Sequence, residues 1–227
     1  MKSSYVWDKI WSKDKYSEEK LRSIKAKEKY DMLSSIFYQN NYDIILDLGC
    51  GAGFISNEVA KHNNKSKIVA IDKSYVAINK AKRMFENSKI SFLEGDMCQI
   101  PLEDNSVNLV LCIGSIEHVK DTDKVFNEIS RVIRRDGKLI IMSSNKKSFM
   151  YIDRKIKEFL GIWKYGYQKN WKGNELVEEI QKYGIRKEYS GVREGIGDFG
   201  YITIMDKLVH AFNKDWGRYI FYIGRRE

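Results

Sequence analysis

Three glycines at alternate positions, Gly49-Cys50-Gly51-Ala52-Gly53, directly follow the apolar run Ile44-Ile45-Leu46-Asp47-Leu48. A buried strand that ends in such a loop and passes into a helix suits a nucleotide-like ligand. Glycine lets the backbone turn tightly and approach the ligand, and the first turn of the helix offers free N–H donors. Asp72 lies about 20 residues further on, at the end of the next apolar run, where a carboxylate can accept hydrogen bonds from ribose hydroxyls. Asp96 and Gly114 stand at the ends of two later runs. His118 follows the second of these and is the candidate base for removing a proton from an acceptor. A dinucleotide-binding loop reads G-x-G-x-x-G, but Phe54 occupies the position of the third glycine, and no Gly-Lys-Ser/Thr of a phosphate-binding loop is present.

These residues need strands to hold them. Residues 5–38 read as helical, with Leu21, Ile24, Tyr30, Leu33 and Ile36–Phe37 forming an apolar stripe among Lys, Arg and Glu. After the strand at 44–48 comes a helix over 54–62, and then the unit repeats. Lys67–Ile71 is a strand ending at Asp72, and Ser74 is a suitable N-cap for a helix through Phe85. Ile90–Leu93 and Val107–Ile113 are the third and fourth strands. Asp121 caps a helix running to Arg135, and Lys138–Met142 is the fifth strand. Beyond Ser144 the regularity loosens into a basic, aromatic stretch over 146–172. A helix at 175–183, a strand at 185–189, a helix at 201–213 and a strand within 217–223 complete the pattern. Strands alternating with helices predict an α/β fold with a parallel sheet covered on both faces. Ligands of such sheets bind at the carboxyl ends of the strands near the topological switch point. The glycine loop, Asp72, Asp96 and Gly114 all fall there.

The 227 residues suit one domain over 1–227, with a helical cap at 1–39, a core at 40–145, and further cap segments at 146–184 and 197–216. The net charge of +9 raises the question of nucleic acid, but the bases are spread among acids, as in SEEKLRSIKAKEKYD. A solvated lysine-rich surface is therefore preferred to a nucleic-acid footprint. No apolar run reaches the roughly 20 residues needed for membrane insertion. Cys50, Cys98 and Cys112 lack metal-ligand spacing and read as reduced thiols. Together with a charged N-terminus, they lead to the expectation of a cytoplasmic protein.

Five stretches in order resemble the class I S-adenosylmethionine-dependent methyltransferases. Ile45–Gly53 is similar to the first motif of that family, and Val69–Ser74 to the second. Phe92–Met97 with Ile100–Leu102 resembles the third. Asn108–Leu111 with Ile116–Val119 resembles the fourth, and Arg131–Leu139 the fifth. The resemblance implies a Rossmann-like, seven-stranded, mostly parallel sheet whose last strand, Tyr219–Gly224, is antiparallel. It implies S-adenosylmethionine as cofactor. Asp47 would hold its amino group, Gly49 and Gly51 would lie against its methionine part, Asp72 would chelate the two ribose hydroxyls, and Cys50 and Lys73 would also belong to the cofactor site. Asp96 and Met97 would meet the adenine, and Ile113 and Gly114 would form the floor.

The sulfonium of that cofactor is already reactive, so the protein is expected to contribute orientation and exclusion of water. His118 is the candidate base; the competing reading is that it bonds the backbone and shapes its loop. Some quinone-precursor methyltransferases of this superfamily carry a metal-binding Glu-x-x-Glu-His here. Gly114 replaces the first acid of that motif, so no metal is expected. The acceptor is expected to be a small aromatic, isoprenoid or glycan-type molecule; the alternatives are an RNA methyltransferase or a non-catalytic, cofactor-binding assembly protein. The segments above the strand ends should recognise it: Tyr5, Trp7, Trp11 and Tyr16, the aromatic stretch 149–171, and 197–216.

Overall fold

The computed structural model describes residues 3–13, 16–38, 42–193 and 200–227. Residues 14–15, 39–41 and 197–199, which fall in the expected helix and at the expected cap boundaries, lie outside them. The strands are β1 (Ile44–Leu48), β2 (Lys67–Asp72), β3 (Ile90–Glu94), β4 (Val107–Ile113), β5 (Ile133–Ser144), β6 (Ile185–Arg193) and β7 (Tyr219–Arg226). They form one sheet in the order β3-β2-β1-β4-β5-β7-β6. The pairs β1–β2, β2–β3, β1–β4 and β4–β5 are parallel. Strand β7 runs antiparallel to both β5 and β6, so it alone is reversed. The chain switches direction across the sheet between β1 and β4, which opens a crevice at their carboxyl ends.

The interior strands read as continuous apolar runs because both faces are covered. One face carries α2 (Tyr16–Tyr38), α3 (Phe54–His62) and α4 (Tyr75–Met84), packed through Tyr30, Leu33, Val59 and Ile78. The other carries α5 (Thr122–Val132) and α7 (Gly173–Gln181), through Phe126, Ile129, Leu176 and Ile180. Ser74 and Asp121 cap α4 and α5 as expected, accepting from Ala77 N and Lys124 N. Helices α1 (Ser3–Ser12), α6 (Phe149–Phe159) and α8 (Tyr201–Phe212) complete the set.

Four expectations are corrected. The helix expected over 5–38 is two helices, with Lys13 closing a turn onto the Ile10 carbonyl, and this frees α1 to lie across the crevice. The stripe expected on α2 holds in part: Tyr30 and Leu33 are buried as expected and Ala26 joins them at i, i+4 and i+7, Leu21 and Ile24 are exposed, and the side chains of Ile36 and Phe37 lie outside the described residues. The helix expected to reach Arg135 stops at Val132, because Ile133 pairs with Val107 and buries its side chain completely. A left-handed Asp136 then bends the early part of β5. Finally, the irregular stretch after Ser144 contains α6, capped by Ser148 through Tyr151 N. Its aromatics divide: Trp171 is buried, Phe149 packs on Trp216, and Phe159 stands in solvent.

Phe126 is fully buried between sheet and α5. Replacing it with alanine is expected to cost about 3–5 kcal/mol, read as a lowered urea midpoint at unchanged slope.

Candidate active site

The crevice is built around the carboxylate of Asp72 at the end of β2. Its Oδ2 accepts from Gly51 N and its Oδ1 from Ser74 N, both at 2.8 Å. The acid thus ties the glycine loop to the start of α4. Gly49 N and Cys50 N both donate to the Ile71 carbonyl, which draws the loop back over β2. A carboxylate has about four acceptor positions, so Asp72 keeps capacity for a ligand hydroxyl. Burial pushes its pKa up, partly offset by the two backbone donors.

Asp47, in β1, is almost wholly buried and accepts from Ser56 Oγ at 2.6 Å. Burial pushes its pKa up to about 6; the Ser56 bond opposes this, and the Asp72 charge adds to it. A buried acid in that state is stabilised by a bound cation such as an ammonium group.

The glycines prove to be packing requirements of the chain itself. Gly49 has φ +71°, and a Cβ there would lie 2.3 Å from that of Ser115, whose Oγ donates to the Leu48 carbonyl. Gly51 has φ +55°, and its Cβ would meet the Trp11 ring at 2.6 Å. Gly114, by contrast, has nothing within 4 Å of its Cβ position, so open space lies over the end of β4. Beside it, Ile113 is half-buried.

The residues expected to meet the adenine meet one another. Asp96 Oδ2 pairs with Lys73 Nζ at 2.5 Å, and its Oδ1 accepts from Cys98 N. Burial acts to raise the Asp96 pKa, but the Lys73 and Cys98 bonds outweigh it and the net shift is downward. Met97 reaches toward Gly49. Cys50 is half-buried, and burial holds its thiol well above the usual range.

Helix α1 closes the crevice. Trp11 covers Gly51. Asp8 accepts from Ser74 Oγ at 2.6 Å and from Val76 N, which places a negative charge at the start of α4, where the helix dipole favours it. Trp7 meets the His118 ring edge-on at 4.7 Å and lies 6.2 Å from Tyr165. His118 Nδ1 is 3.0 Å from the Tyr167 carbonyl. A carbonyl only accepts, so Nδ1 carries the hydrogen, and in the neutral ring Nε2 keeps the lone pair. The two roles considered for His118, loop shaping and proton transfer, thus involve different nitrogens. Glu117 turns inward and accepts from Ser143 Oγ and Ser144 Oγ.

Sequence reasoning missed Asp8, and it noted Glu117 only as the second acid of the Glu-x-x-Glu-His pattern, without its inward bonds to Ser143 and Ser144. His62 stacks on Tyr30, and His210 bonds the Trp216 carbonyl, so both serve packing.

A methyltransferase-domain family profile matches residues 39–186. The chain belongs to this family. A Chlamydia pneumoniae demethylmenaquinone methyltransferase is 30% identical over 98 residues, which are 43% of this chain and 43% of that protein. The chain spans about half the length of curated relatives of this kind. A Haloferax volcanii chain from a complex with the Trm112 methyltransferase activator superimposes with a TM-score of 0.73 at 15% identity, covering 96% of each chain. A Haemonchus contortus phosphoethanolamine N-methyltransferase was solved with phosphomonomethylethanolamine and S-adenosylhomocysteine. It superimposes at 0.64 with 18% identity, over 87% of this chain and 52% of that one. At these identities the structures establish the shared Rossmann-like fold.

The raised pKa of Asp47 has a signed consequence. Between about pH 4 and pH 6 the folded carboxyl holds a proton that the unfolded chain releases, so this group's contribution to stability declines as pH rises through that window. Asp47→Asn is expected to remove a pH-dependent change totalling about 3 kcal/mol across that window, measured by urea denaturation of both proteins at each pH.

Proposed function

We propose that the chain transfers the methyl group of S-adenosylmethionine to a small-molecule acceptor of aromatic, isoprenoid or glycan type. The observation that carries this reading is the pair of deep carboxylates, Asp47 and Asp72, beside the open space over Gly114. That set fits a ligand with an ammonium group and vicinal hydroxyls. It is supported by membership of the methyltransferase-domain family and by the S-adenosylhomocysteine bound in the Haemonchus relative of the fold. When bound, S-adenosylmethionine supplies a methyl group activated by its sulfonium.

The residues of the chain would then act as follows. Asp47 takes the amino group and Asp72 the ribose, while the loop Gly49–Gly51 borders the methionine part. Lys73, Asp96 and Met97 bound the adenine side, with Ile113 and Gly114 beneath. Trp7 and Trp11 exclude water from above, and exclusion strengthens each polar contact inside. His118 receives the acceptor's proton at Nε2, with the Tyr167 carbonyl fixing the ring through Nδ1.

Calorimetric titration with S-adenosylhomocysteine, with NAD as control, tests the cofactor. Asp72→Ala is expected to weaken homocysteine-adduct binding by about 10- to 100-fold, the range for hydrogen bonds to a charged group. Asp72→Asn checks that the effect is not loop collapse, and absence of binding by the folded wild-type chain sinks the proposal. His118→Ala is expected to lower kcat by about 100-fold in a radiolabelled methyl-transfer screen, with cofactor affinity kept within about twofold. An unchanged kcat would leave His118 a loop-shaping residue.

A further inference from the structure

Two of the cap helices carry their amphipathic pattern inside out. On α6, Ile152, Ile156, Phe159 and Leu160 recur at i, i+4, i+7 and i+8 and all face solvent, while the buried residue of that helix is Arg154. Arg154 Nη1 donates to Glu158 Oε1 at 2.8 Å and to the Gln168 carbonyl at 2.6 Å, so a cation anchors the helix from its inner side. On α8, Tyr201, Ile204, Met205, Leu208 and Phe212 recur at i, i+3, i+4, i+7 and i+11 and are exposed. The buried residues there are Thr203 and Asp206. Asp206 Oδ1 accepts from Phe149 N and from Trp216 Nε1, both at 2.8 Å, which joins α8 to the start of α6.

A surface helix ordinarily turns such a stripe toward the core. Here Phe159 is 91% and Phe212 92% exposed, and a groove of about 570 Å³ lined by Tyr151, Lys155 and the four apolar side chains of α6 opens to solvent. Single exposed apolar residues need no partner, but two joined stripes mark a contact surface. Charge decides which contact. Residues 149–172 and 201–216 hold eight Lys and Arg against four Asp and Glu. Asp206 is buried, and Asp153 and Glu158 are paired within α6. Among the described residues Lys164, Lys207 and Lys214 have no ion-pair partner. A second copy of the chain would set this excess of cations against itself, whereas anionic headgroups complement it.

We propose that the outward stripes of α6 and α8 dock the chain on an anionic bilayer surface, with the apolar side chains below the headgroups and the lysines on the phosphates. Among the described residues no helix is long and apolar enough to cross a membrane, and these helices of 11 and 12 residues suit the plane of the interface instead. The chain path sets where the docked face lies. Ser144 ends β5 and leads to α6, while α8 leads into Tyr219, the first residue of β7, and Tyr219 pairs with Ser144. Both helices therefore adjoin the carboxyl end of β5, the end of the sheet at which the crevice opens. Docking there brings an acceptor dissolved in the bilayer to the crevice. That consequence alone rests on the methyltransferase reading; the docking itself does not.

Flotation of the 227-residue chain with vesicles tests the proposal. Vesicles of phosphatidylcholine and phosphatidylglycerol in equal parts are expected to carry the protein up the gradient, and raised salt to weaken the binding. Phe159→Ser and Phe212→Ser are each expected to lower the partition coefficient about tenfold or more, because each removes a large apolar side chain from the interface. Lys207→Gln and Lys214→Gln are expected to lower it about fivefold each on these vesicles and to change nothing on pure phosphatidylcholine. Thermal melts monitored by circular dichroism establish folding, and Leu208→Ser replaces any variant that has melted. Affinity for S-adenosylhomocysteine should stay within about twofold in each variant, since Asp47 and Asp72 lie elsewhere. Its absence in the wild type would remove the methyltransferase reading and leave the vesicle result standing. Three results overturn the docking proposal. One is no flotation of the folded wild type. Another is flotation that the phenylalanine variants leave unchanged, which would make the attraction one of charge alone. The third is a dimer in sedimentation velocity that Phe159→Ser disperses, since the stripes would then belong to a second copy of the chain.

Discussion

The site depends on one carboxylate holding two backbone segments together. Asp72 receives the Gly51 and Ser74 amides, and each such charge-assisted bond contributes about 1.5–3 kcal/mol. Ser74 passes the constraint outward, because its hydroxyl donates to Asp8 on α1 while its N–H stays on Asp72. From Asp8 the order reaches Trp11 over the glycine loop and Trp7 beside His118. A sheet corner, a loop, a helix start and a covering helix are thereby placed by one short polar chain.

Much of the frame was legible because interior parallel strands must be apolar on both faces. Ile44–Leu48, Lys67–Ile71 and Val107–Ile113 carry that signal, and glycine and capping residues punctuate it. The break between α1 and α2 carries no proline or glycine, so helical periodicity runs through it unmarked. On helix α2 Tyr30 and Leu33 were legible as buried, but only docking on the sheet selects Ala26 over Leu21 and Ile24 to join them. Ile133 has a helical past and an extended future in the chain, and its bond to Val107 across the sheet decides between them.

The site residues divide in the same way. Asp47, Asp72 and the glycines were legible because their spacing follows from a local strand–loop–helix unit. Asp8 and Glu117 were not, since each acquires its place from partners far along the chain: Ser74, and Ser143 with Ser144. The glycines also carried a second meaning. Gly49 and Gly51 make room for Ser115 and Trp11, so side chains from β4's end and from α1 fill the space that their missing Cβ atoms leave.

Helix α1 places Trp7 and Trp11 one turn apart on a single rigid rod, with Asp8 between them as its fastening. The wall over the glycine loop and the wall beside His118 therefore move as one body. Unfastening Asp8 exposes both halves of the crevice together, so donor and acceptor exchange would share one gate and one opening rate.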